Sequence, residues 1–291
     1  MHKIILYPNA ENDVDFSMTE KVAKELVKLG REIVLCPAIF NDLSEAIPKT
    51  NLPAGILEDE LESAEMIITF GGDGTILRAA RAAAEFEVPI LGINMGGKGF
   101  MAELEPDEID KLKAVATGDY NIETRMMIDI SIHRETEMIY QGFALNDIVI
   151  KGDNKVIEMG ILADNHKIIH FHGDGTVIAT PTGSTAYSMS AGGPIVEPTA
   201  KNIIITPICA HVLEAKSFVL VAGRVVTVEI DTKQTIPAYV SVDGGTHIGV
   251  QSEDLIEVRN SAKKTKLVRF DDSSFYHKIA TKLASRLYGN H

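Results

Sequence analysis

The sequence predicts an α/β domain with a parallel sheet, followed by a β-rich domain and a closing helix. Short apolar runs alternate with helical patterns in the first 120 residues, which is typical of a parallel sheet covered by helices on both faces. Beyond that point the apolar runs are short and have period two, as in antiparallel strands. The predicted domain limits are 1–120, 121–270 and 271–291.

The first domain is predicted to alternate strands with helices. Short apolar runs mark the strands, and apolar residues three and four positions apart mark the helices. The expected strands are 3–7, 32–36, 66–70 and 89–93, and the expected helices are 17–30, 75–86 and 106–118. The first helix has Ser17 and Glu20 in capping-box spacing, and Gly30 is expected to end it.

The second domain is predicted to consist of about ten short strands. In the run 127–133, isoleucine occupies every second position, as in a strand with one buried face. The basic run 262–266 is expected to be a solvated hairpin turn. At the end of the chain, residues 273–288 have apolar side chains every four positions, which predicts a helix.

Composition and charge exclude several classes of protein. Among 291 residues the formal net charge is −13, which argues against a broad nucleic-acid or anionic-membrane surface but not against a local phosphate pocket. The two cysteines, Cys36 and Cys209, make a disulfide framework improbable and suit a reducing compartment. No signal pattern or apolar run of about 18 residues is present. We therefore expect a cytoplasmic protein.

No metal site of the protein's own is expected, because the nine histidines show no ligand spacing. His166, His170 and His172 alternate along one predicted strand, and ordinary β patterning explains this spacing.

Glycines surround a single carboxylate, Asp73, where the predicted strand 66–70 ends. Glycine lets the backbone turn tightly and approach a ligand, and the N–H groups that open the next helix suit a phosphate. A carboxylate beside phosphates needs a reason. It could accept a proton from an attacking hydroxyl, hold a divalent metal, or serve only as a turn residue. The residues expected to line a phosphate are Gly71, Gly72, Gly74 and Thr75.

A second segment, 172–198, carries seven Ser, Thr and Tyr hydroxyl groups among Gly and Pro between Thr180 and Ser190. Hydroxyl and backbone N–H groups at this density suit a phosphorylated ligand with many hydroxyl groups, and Tyr187 could stack on a base or sugar. A Ser/Thr-rich surface loop is the alternative. It is disfavoured because 186–196 is too apolar for a solvated loop.

A third motif pairs an amide with a carboxylate at the start of a predicted strand, Asn146 and Asp147. Such a pair can bind an adenine edge or the two hydroxyls of a ribose. As a lone dipeptide it is also compatible with a turn.

Taken in order along nearly the whole chain, these motifs resemble the NAD kinase family. The glycine-rich motif 71–75 is similar to those of phosphofructokinases and diacylglycerol kinases, whereas Thr-Pro-Thr-Gly-Ser-Thr-Ala-Tyr at 180–187 is much more specific. The further matching segments are 92–100, 123–130, 145–147, 206–213, 240–245 and 274–283.

The resemblance implies ATP-dependent phosphorylation of the 2′-hydroxyl of the adenosine ribose of NAD, giving NADP. It implies a divalent metal, Mg²⁺ or Mn²⁺, no tightly bound prosthetic group, and a homodimer or homotetramer. The implied fold is a Rossmann-like nucleotide-binding α/β domain, then a β-sandwich, with the C-terminal helix returning to the first domain.

The resemblance also assigns roles to residues. Asp73 is the implied general base, Asn146 and Asp147 hold the adenosine part, and Asp174 holds the nicotinamide side, from a neighbouring subunit if the family pattern applies. Tyr187 would lie near the reacting ribose. The candidate NAD-binding residues are Asp73, Gly74, Arg78, Phe100, Asn146, Asp147, His172, Asp174, Thr185, Ala186, Tyr187, Ser188, Met189, Ser190 and Gly245.

Four positions depart from the family pattern: Lys98, Asp147, Ala210 and Gly245. Asp147 stands where Glu is usual, so its reach is shorter by about one bond. Two rival functions stay open: a kinase of another acceptor, such as a lipid or sugar phosphate, and a non-catalytic dinucleotide-binding regulator. A Rossmann dehydrogenase fits poorly, because no G-x-G-x-x-G follows the strand at 3–7.

Overall fold

The structure is a computed structural model. It describes residues 3–38, 52–96, 99–212, 215–231, 237–270, 275–276 and 279–280. The chain divides into two compact units, one formed by 1–124 and 265–291 and the other by 125–264. Most of the predicted closing helix, 273–288, lies outside the described residues, and so does Lys98. The predicted limits of the three domains stay a prediction.

The first unit is a parallel sheet with helices, as the sequence predicts. Its elements are β1 (Lys3–Pro8), α1 (Ser17–Lys28), β2 (Glu32–Leu35), α2 (Leu57–Glu60), β3 (Ala64–Gly71), α3 (Asp73–Ala83), β4 (Ile90–Asn94) and α4 (Leu112–Thr117), with 3-10 turns at Val14–Phe16, Leu61–Ser63 and Ile109–Lys111. The strand order is β2-β1-β3-β4, and all three pairs are parallel. Next to β4, the end of the long strand Asp254–Arg269 pairs in parallel through Leu267.

Burial explains why the strands of this sheet are continuous apolar runs. β1 and β3 bury nearly every residue, because helices and loops cover both faces. The apolar face of α1, with Val22, Ala23 and Leu26, packs in the same core as Ile4 and Ile68. The predicted parallel α/β architecture is therefore confirmed for this unit.

The predicted capping box at the start of α1 is wrong. The fully buried Asp13 caps the helix instead: its carboxylate accepts the backbone N–H groups of Met18 at 3.0 Å and Thr19 at 2.9 Å, and the Thr19 hydroxyl at 2.6 Å. Ser17 is already the first helical residue and makes no cap hydrogen bond. Asp13 reaches across the 3-10 turn and satisfies two N–H groups in the first turn of the helix.

Asp13→Ala is expected to lower the free energy of unfolding by about 2 kcal/mol, because three buried donors lose their acceptor. Urea denaturation followed by circular dichroism measures the change. Asp107→Ala, at an exposed position of the same unit, is the matched control and should stay within about 0.5 kcal/mol of the parent. Equal losses for the two variants would contradict the assignment of Asp13 as the cap.

The second unit is built from two sheets. Its elements are β5 (Asn121–Arg134), β6 (Glu137–Ala144), β7 (Asp147–Gly152), β8 (Ile157–Ala163), β9 (His166–Gly173), β10 (Gly175–Ala179), a 3-10 turn at Gly183–Thr185, α5 (Tyr187–Ser190), β11 (Asn202–Ile208), β12 (Phe218–Val221), β13 (Val226–Asp231), β14 (Ala238–Val242), β15 (Ile248–Val250) and β16 (Asp254–Arg269). One sheet has the order β6-β5-β16-β13-β8-β9. The other has the order β12-β11-β10-β7-β14-β15 and is antiparallel throughout.

The two sheets of this unit share one apolar core, which confirms the β-sandwich. Ile128 and Phe171 from the first sheet lie in one buried cluster with Ile148 and Ile178 from the second. Alternate residues of each strand point into this core, in agreement with the period-two pattern of the sequence.

The predicted hairpin turn at 262–266 is wrong, because this run lies inside β16. Ser261, just before the run, and Thr265, within it, are buried. Lys263 covers the Phe143 ring, with its ammonium 5.2 Å from the ring centroid. Three lysines close together in sequence thus lie along the outer part of a strand, where their charges stay in contact with solvent.

Candidate active site

Asp73 lies in the first turn of α3, directly after β3. The helix begins two residues earlier than the sequence predicts, with Gly72 as its N-cap, so the carboxylate belongs to the helix start. Gly74, the next residue, is exposed, and an added Cβ there would meet nothing within 4 Å. In a parallel sheet the carboxyl ends of the strands line the ligand crevice, and a helix N-terminus favours anions.

Two backbone N–H groups fix the orientation of the Asp73 carboxylate. Phe100 donates to Oδ2 at 2.7 Å and Met101 donates to Oδ1 at 3.1 Å. Hydrogen bonds from backbone donors to a carboxylate are charge-assisted and directional. The contact of Phe100 with this carboxylate comes through its main chain.

Gly99 leaves room for this carboxylate. A Cβ built on Gly99 would overlap Asp73 Oδ1 and lie 2.9 Å from Asp73 Cγ. Only glycine therefore lets the chain pass this close to the acid.

Gly99→Ala is expected to lower kcat about tenfold to a hundredfold, because the methyl group pushes the carboxylate away from its two donors. Steady-state kinetics with thermal unfolding in parallel measures this effect. Gly249→Ala is the matched control, since an added Cβ at Gly249 meets nothing within 4 Å. An unchanged kcat in Gly99→Ala would show that turnover does not depend on this position of the Asp73 carboxylate.

The turn before Asp73 is held by residues that the motif alone does not reveal. Gly71 leaves space for the buried Thr75 side chain, whose hydroxyl accepts a long 3.4 Å hydrogen bond from Asn9 Nδ2. Asn9 also donates to Asn12 Oδ1 at 2.8 Å. Because the neighbouring strands β1 and β3 are parallel, polar residues that follow β1 lie at the same edge of the sheet as Asp73. This position directly after β1 could have indicated Asn9 from the sequence.

Arg78, a candidate NAD-binding residue, is exposed on α3 and hydrogen-bonds the Tyr7 side chain. Burial raises the pKa of Tyr7, and the positive charge of Arg78 opposes this rise. The structure therefore gives Arg78 a partner within the first unit.

The second group of predicted residues lies at the start of β7. The Asp243 carboxylate accepts the backbone N–H groups of Leu145 at 2.8 Å, Asn146 at 2.7 Å and Asp147 at 3.0 Å. In return Asp243 donates its own N–H to the Asp147 carbonyl at 2.9 Å. Three donors on one carboxylate pin this stretch of backbone. Asp243 is not among the site residues predicted from the sequence, although it lies in the matched segment 240–245.

Gly245 belongs to the turn that carries Asp243. Both Asp243 and Gly244 have positive φ, 48° and 69°, and the Gly245 N–H donates to the Val242 carbonyl at 2.9 Å. The candidate residue Gly245 is thus close to Asn146 and Asp147 through this turn.

Asp147 is a buried acid close to a second acid, Asp243. It is only 5% exposed, and burial raises its pKa to about 7, with a smaller contribution from the negative charge of Asp243. The proton on Asp147 is therefore exchanged close to neutral pH.

Asp147→Asn is expected to gain stability relative to the parent as the pH rises from about 4 to about 7. The pKa of Asp147 is raised in the folded state, so its protonated form is stable at low pH and stability is lost as the pH rises through this window. The relative gain in the free energy of unfolding is on the order of a few kcal/mol. Unfolding curves recorded over a series of pH values measure it. Asp153→Asn, at an exposed position, is the control. If the stabilities of Asp147→Asn and of the parent changed in parallel with pH, the raised pKa of Asp147 would be contradicted.

The Thr-Pro-Thr-Gly segment lies against Asn146. Thr180 donates its N–H to the Asn146 carbonyl at 2.9 Å and its hydroxyl to the Leu145 carbonyl at 2.5 Å. A Cβ on Gly183 would overlap the Asn146 carbonyl oxygen, so this position accepts only glycine. The buried Arg125 guanidinium reaches Thr182 Oγ1 at 3.2 Å. The predicted adenosine-binding motifs are thus brought together in the second unit.

Several hydroxyl groups of this segment stabilise the segment itself. Ser184 Oγ donates to the Pro181 carbonyl at 2.7 Å and accepts the Val196 N–H at 3.0 Å, and Ser188 Oγ lies 2.9 Å from Thr206 Oγ1. Ala191 and Val196 pack on the outer face of the second sheet, which explains why the segment is apolar.

Part of the segment remains accessible for a ligand. The Tyr187 side chain is 38% exposed and Ser190 is exposed. Thr185, Ala186 and Met189 are partly buried, while Ser188 is fully buried. The hydroxyl-rich segment is therefore neither a solvated loop nor a set of free hydroxyls.

Asp174 lies apart from Asn146 and Asp147. In the register of the sheet, Asp147 pairs with Ala179 at one end of β10, whereas Asp174 precedes Gly175 at the other end. The five residue steps from Asp174 to Ala179, at about 3.4 Å each, correspond to a separation of about 17 Å. Asp174 lines a separate cavity of about 330 Å³ with Lys151, Asn154 and Tyr239 among its walls.

His172, also a candidate, lies with His170 beside one carboxylate. Glu158 places Oε1 3.1 Å from His170 Nε2 and Oε2 3.9 Å from His172 Nε2. The described part of the chain has no group of three or more His, Cys, Asp or Glu side chains that could hold a metal ion. Nor does any helix within it have the length and apolar character needed to cross a membrane.

Comparison with known proteins decides which family this geometry belongs to. The family model of the ATP-NAD kinase N-terminal domain matches residues 5–120, and that of the C-terminal domain matches residues 145–270. The chain belongs to the ATP-NAD kinase family. An NAD kinase from Natranaerobius thermophilus is 38% identical over 287 residues, covering 97% of this chain and 98% of that protein. One from Lachnoclostridium phytofermentans is 34% identical over 299 residues, covering 98% and 100%.

Solved structures of related kinases share the fold. A yeast NADH kinase complexed with NADH superposes with a TM-score of 0.84 at 24% identity, covering 98% of this chain and 88% of that one. An NAD kinase from Archaeoglobus fulgidus in complex with ATP gives a TM-score of 0.72 at 26% identity, covering 98% and 99%. The predicted fold class, a nucleotide-binding α/β domain followed by a β-sandwich, is confirmed for this member of the ATP-NAD kinase family.

Proposed function

We propose that Asp73 is the general base in phosphoryl transfer from ATP to the 2′-hydroxyl of the adenosine ribose of NAD. As a member of the ATP-NAD kinase family, the chain is a phosphotransferase with an alcohol group as acceptor, and the family reaction converts NAD to NADP. The observation that carries the assignment is the Asp73 carboxylate at the start of α3, oriented by two backbone N–H groups.

The proposed chemistry needs little from the protein beyond position and a proton acceptor. The 2′-oxygen attacks the terminal phosphorus of ATP, the bond from that phosphorus to the bridging oxygen breaks, and ADP leaves. Asp73 takes the proton of the hydroxyl, which makes the oxygen a better nucleophile. The N–H groups that open α3 offer hydrogen bonds to phosphate oxygens, and Gly71, Gly72, Gly74 and Thr75 are our candidates for this contact.

A buried atom supports the assignment of Asn146 to adenine. Asn146 is 9% exposed, and its Oδ1 has no hydrogen-bond partner within the part of the chain that the structure describes. A buried polar atom without a partner is costly, and the exocyclic amino group of adenine is a donor that would satisfy it. We propose that Asn146, Asp147 and Tyr187 hold the adenosine part of NAD, together with Thr185, Ala186, Ser188, Met189 and Ser190.

A divalent metal is proposed to enter with ATP. The described residues offer no cage of carboxylates, and Mg²⁺ commonly needs only substrate phosphates, water and one or two protein oxygens. The metal would neutralise charge on the phosphates.

The position of Asp174 supports an oligomer. About 17 Å of sheet separates it from Asp147, so we propose that Asp174 and His172 serve the nicotinamide side of NAD bound by a neighbouring copy, in a homodimer or homotetramer. Light scattering of the purified protein measures the number of copies. A cytoplasmic location is part of the same proposal.

Saturation kinetics with a panel of acceptors tests the proposed function. NAD, NADH, a sugar phosphate and a diacylglycerol are each supplied with ATP and Mg²⁺, and ADP release is followed. NAD should give the highest kcat/KM. A higher value for the sugar phosphate or the lipid would support the other-acceptor kinase. Tight NAD binding without ADP release would support the regulator.

A further inference from the structure

A cluster of three charged side chains in the first unit lies beside the segment that orients Asp73. Arg269 Nε donates to Glu123 Oε1 at 2.9 Å, and its Nη1 donates to Glu103 Oε2 at 3.1 Å. The Arg269 and Glu103 side chains are 12% and 4% exposed. Glu103 also accepts the Phe270 N–H at 3.1 Å. The guanidinium is therefore held in a fixed place with little access to water.

The same guanidinium contacts the residue whose N–H supports the proposed base. Arg269 Nη1 donates to the Met101 carbonyl at 2.9 Å, and Met101 N–H donates to Asp73 Oδ1 at 3.1 Å. Two consecutive hydrogen bonds thus connect Arg269 to the Asp73 carboxylate through one residue. The neighbouring Phe100 N–H, which donates to Asp73 Oδ2 at 2.7 Å, belongs to the same segment.

The segment needs an anchor of this kind, because its own side chains supply little. Gly99 has no side chain, and a larger residue there would collide with the carboxylate. A guanidinium that bonds a carbonyl and two carboxylates restrains the segment better than an ammonium could, because its planar fork presents several donors at fixed angles. A displacement of about 1 Å in a reacting group can lower a rate about a hundredfold.

We propose that Arg269 is a positioning residue for the general base: it holds the main chain of Met101 by its carbonyl, and the Met101 N–H holds the Asp73 carboxylate in the orientation needed for proton transfer. This inference rests on the proposed role of Asp73. It assigns a role in turnover to a residue near the end of the last strand, 196 positions after Asp73 in the numbering of the chain. Arg269 touches no reacting atom and acts only through the main chain of Met101.

Arg269→Lys tests the proposal. The ammonium keeps the charge but cannot reach the three acceptors together, so kcat is expected to fall about tenfold to a hundredfold, while KM for NAD stays within about twofold. Arg134→Lys is the matched control, because Arg134 also forks onto a buried carboxylate, with distances of 2.8 and 2.9 Å to Asp254, in the second unit. The control should keep kcat within about twofold at a comparable loss of thermal stability. An equal fall in kcat in both variants would overturn the proposal.

A double-mutant cycle with Asp73→Asn separates positioning from general structural damage. If Arg269 acts through Asp73, Arg269→Lys should lower the residual kcat of Asp73→Asn by less than about twofold. The same fold-loss in both backgrounds, or parental kcat in Arg269→Lys alone, would overturn the proposal. Full turnover in Asp73→Asn alone would instead overturn the base assignment, and the inference would fall with it.

A second variant covers the case in which Arg269→Lys does not fold. Arg269→Gln combined with Glu103→Gln removes both charges of the buried pair and leaves the net charge of the cluster unchanged. The remaining charge, on Glu123, belongs to a side chain that is 25% exposed and stays in contact with water. In the double-mutant cycle, this variant should lower the residual kcat of Asp73→Asn by less than about twofold. The same fold-loss in both backgrounds would overturn the proposal. NAD binding measured by calorimetry shows that the folded variant still takes up its substrate.

Discussion

Asp73→Asn should lower kcat about a thousandfold and leave the affinity for NAD within about threefold. The amide cannot take the proton of the attacking hydroxyl, and loss of a positioned general base typically costs a factor of 10² to 10⁴. The fold should survive, because Asp73 is only partly buried and one amide oxygen can still accept from Phe100 or Met101. Single-turnover kinetics with ATP and NAD isolates the chemical step.

The matched control for this variant is Asp107→Asn, which makes the same change at an exposed position of the same unit. It should turn over like the parent. Calorimetric titration with NAD shows whether Asp73→Asn still binds its substrate. A kcat within a few fold of the parent, in a variant that binds NAD normally, would mean that another group accepts the proton.

Asp243→Ala should lower the free energy of unfolding by about 3 kcal/mol and raise KM for NAD at least tenfold. The substitution leaves the N–H groups of Leu145, Asn146 and Asp147 without their acceptor, at a cost of about 1 kcal/mol or more each. Relaxation of this backbone moves the Asn146 side chain. Urea denaturation and NAD saturation curves measure the two effects.

Asp243→Asn is an informative partner for that variant. It keeps the size and one acceptor oxygen but removes the charge that helps to raise the pKa of Asp147, so the apparent pKa of Asp147 should fall below about 7. Asp153→Ala is the control at an exposed position. If Asp243→Ala lost no more stability than this control, the three hydrogen bonds would not hold the backbone of the site.

The sequence predicts the architecture well because the architecture follows from local patterns. Continuous apolar runs between helical segments can only be buried in a parallel sheet, and the period-two runs from residue 121 onward require a sheet with one inward face. The errors arise where a local pattern has two solutions. Ser17 and Glu20 have capping-box spacing, yet Asp13 caps the helix through the N–H groups of Met18 and Thr19. The basic run 262–266 has the composition of a turn, but it continues the long strand β16.

The candidate site divides in the same way. Asp73, Asn146 and the Thr-rich segment are visible in the sequence because each motif has an unusual composition. Asp243 and Arg269 are not, because their partners lie 97 and 168 positions away along the chain, at Asn146 and Met101. Only the folded structure shows which backbone a distant side chain holds, and no spacing rule connects such residues.

The chemical structure of the product shows directly whether the protein phosphorylates the 2′-hydroxyl of the adenosine ribose of NAD. Wild-type protein is incubated with ATP, Mg²⁺ and NAD, and the position of the new phosphate is read from phosphorus–proton couplings in the NMR spectrum of the purified dinucleotide. We expect one phosphate on the 2′-oxygen of the adenosine ribose, formed with one equivalent of ADP. Phosphate on any other oxygen, or no phosphorylated dinucleotide from folded protein that binds both substrates, would contradict it.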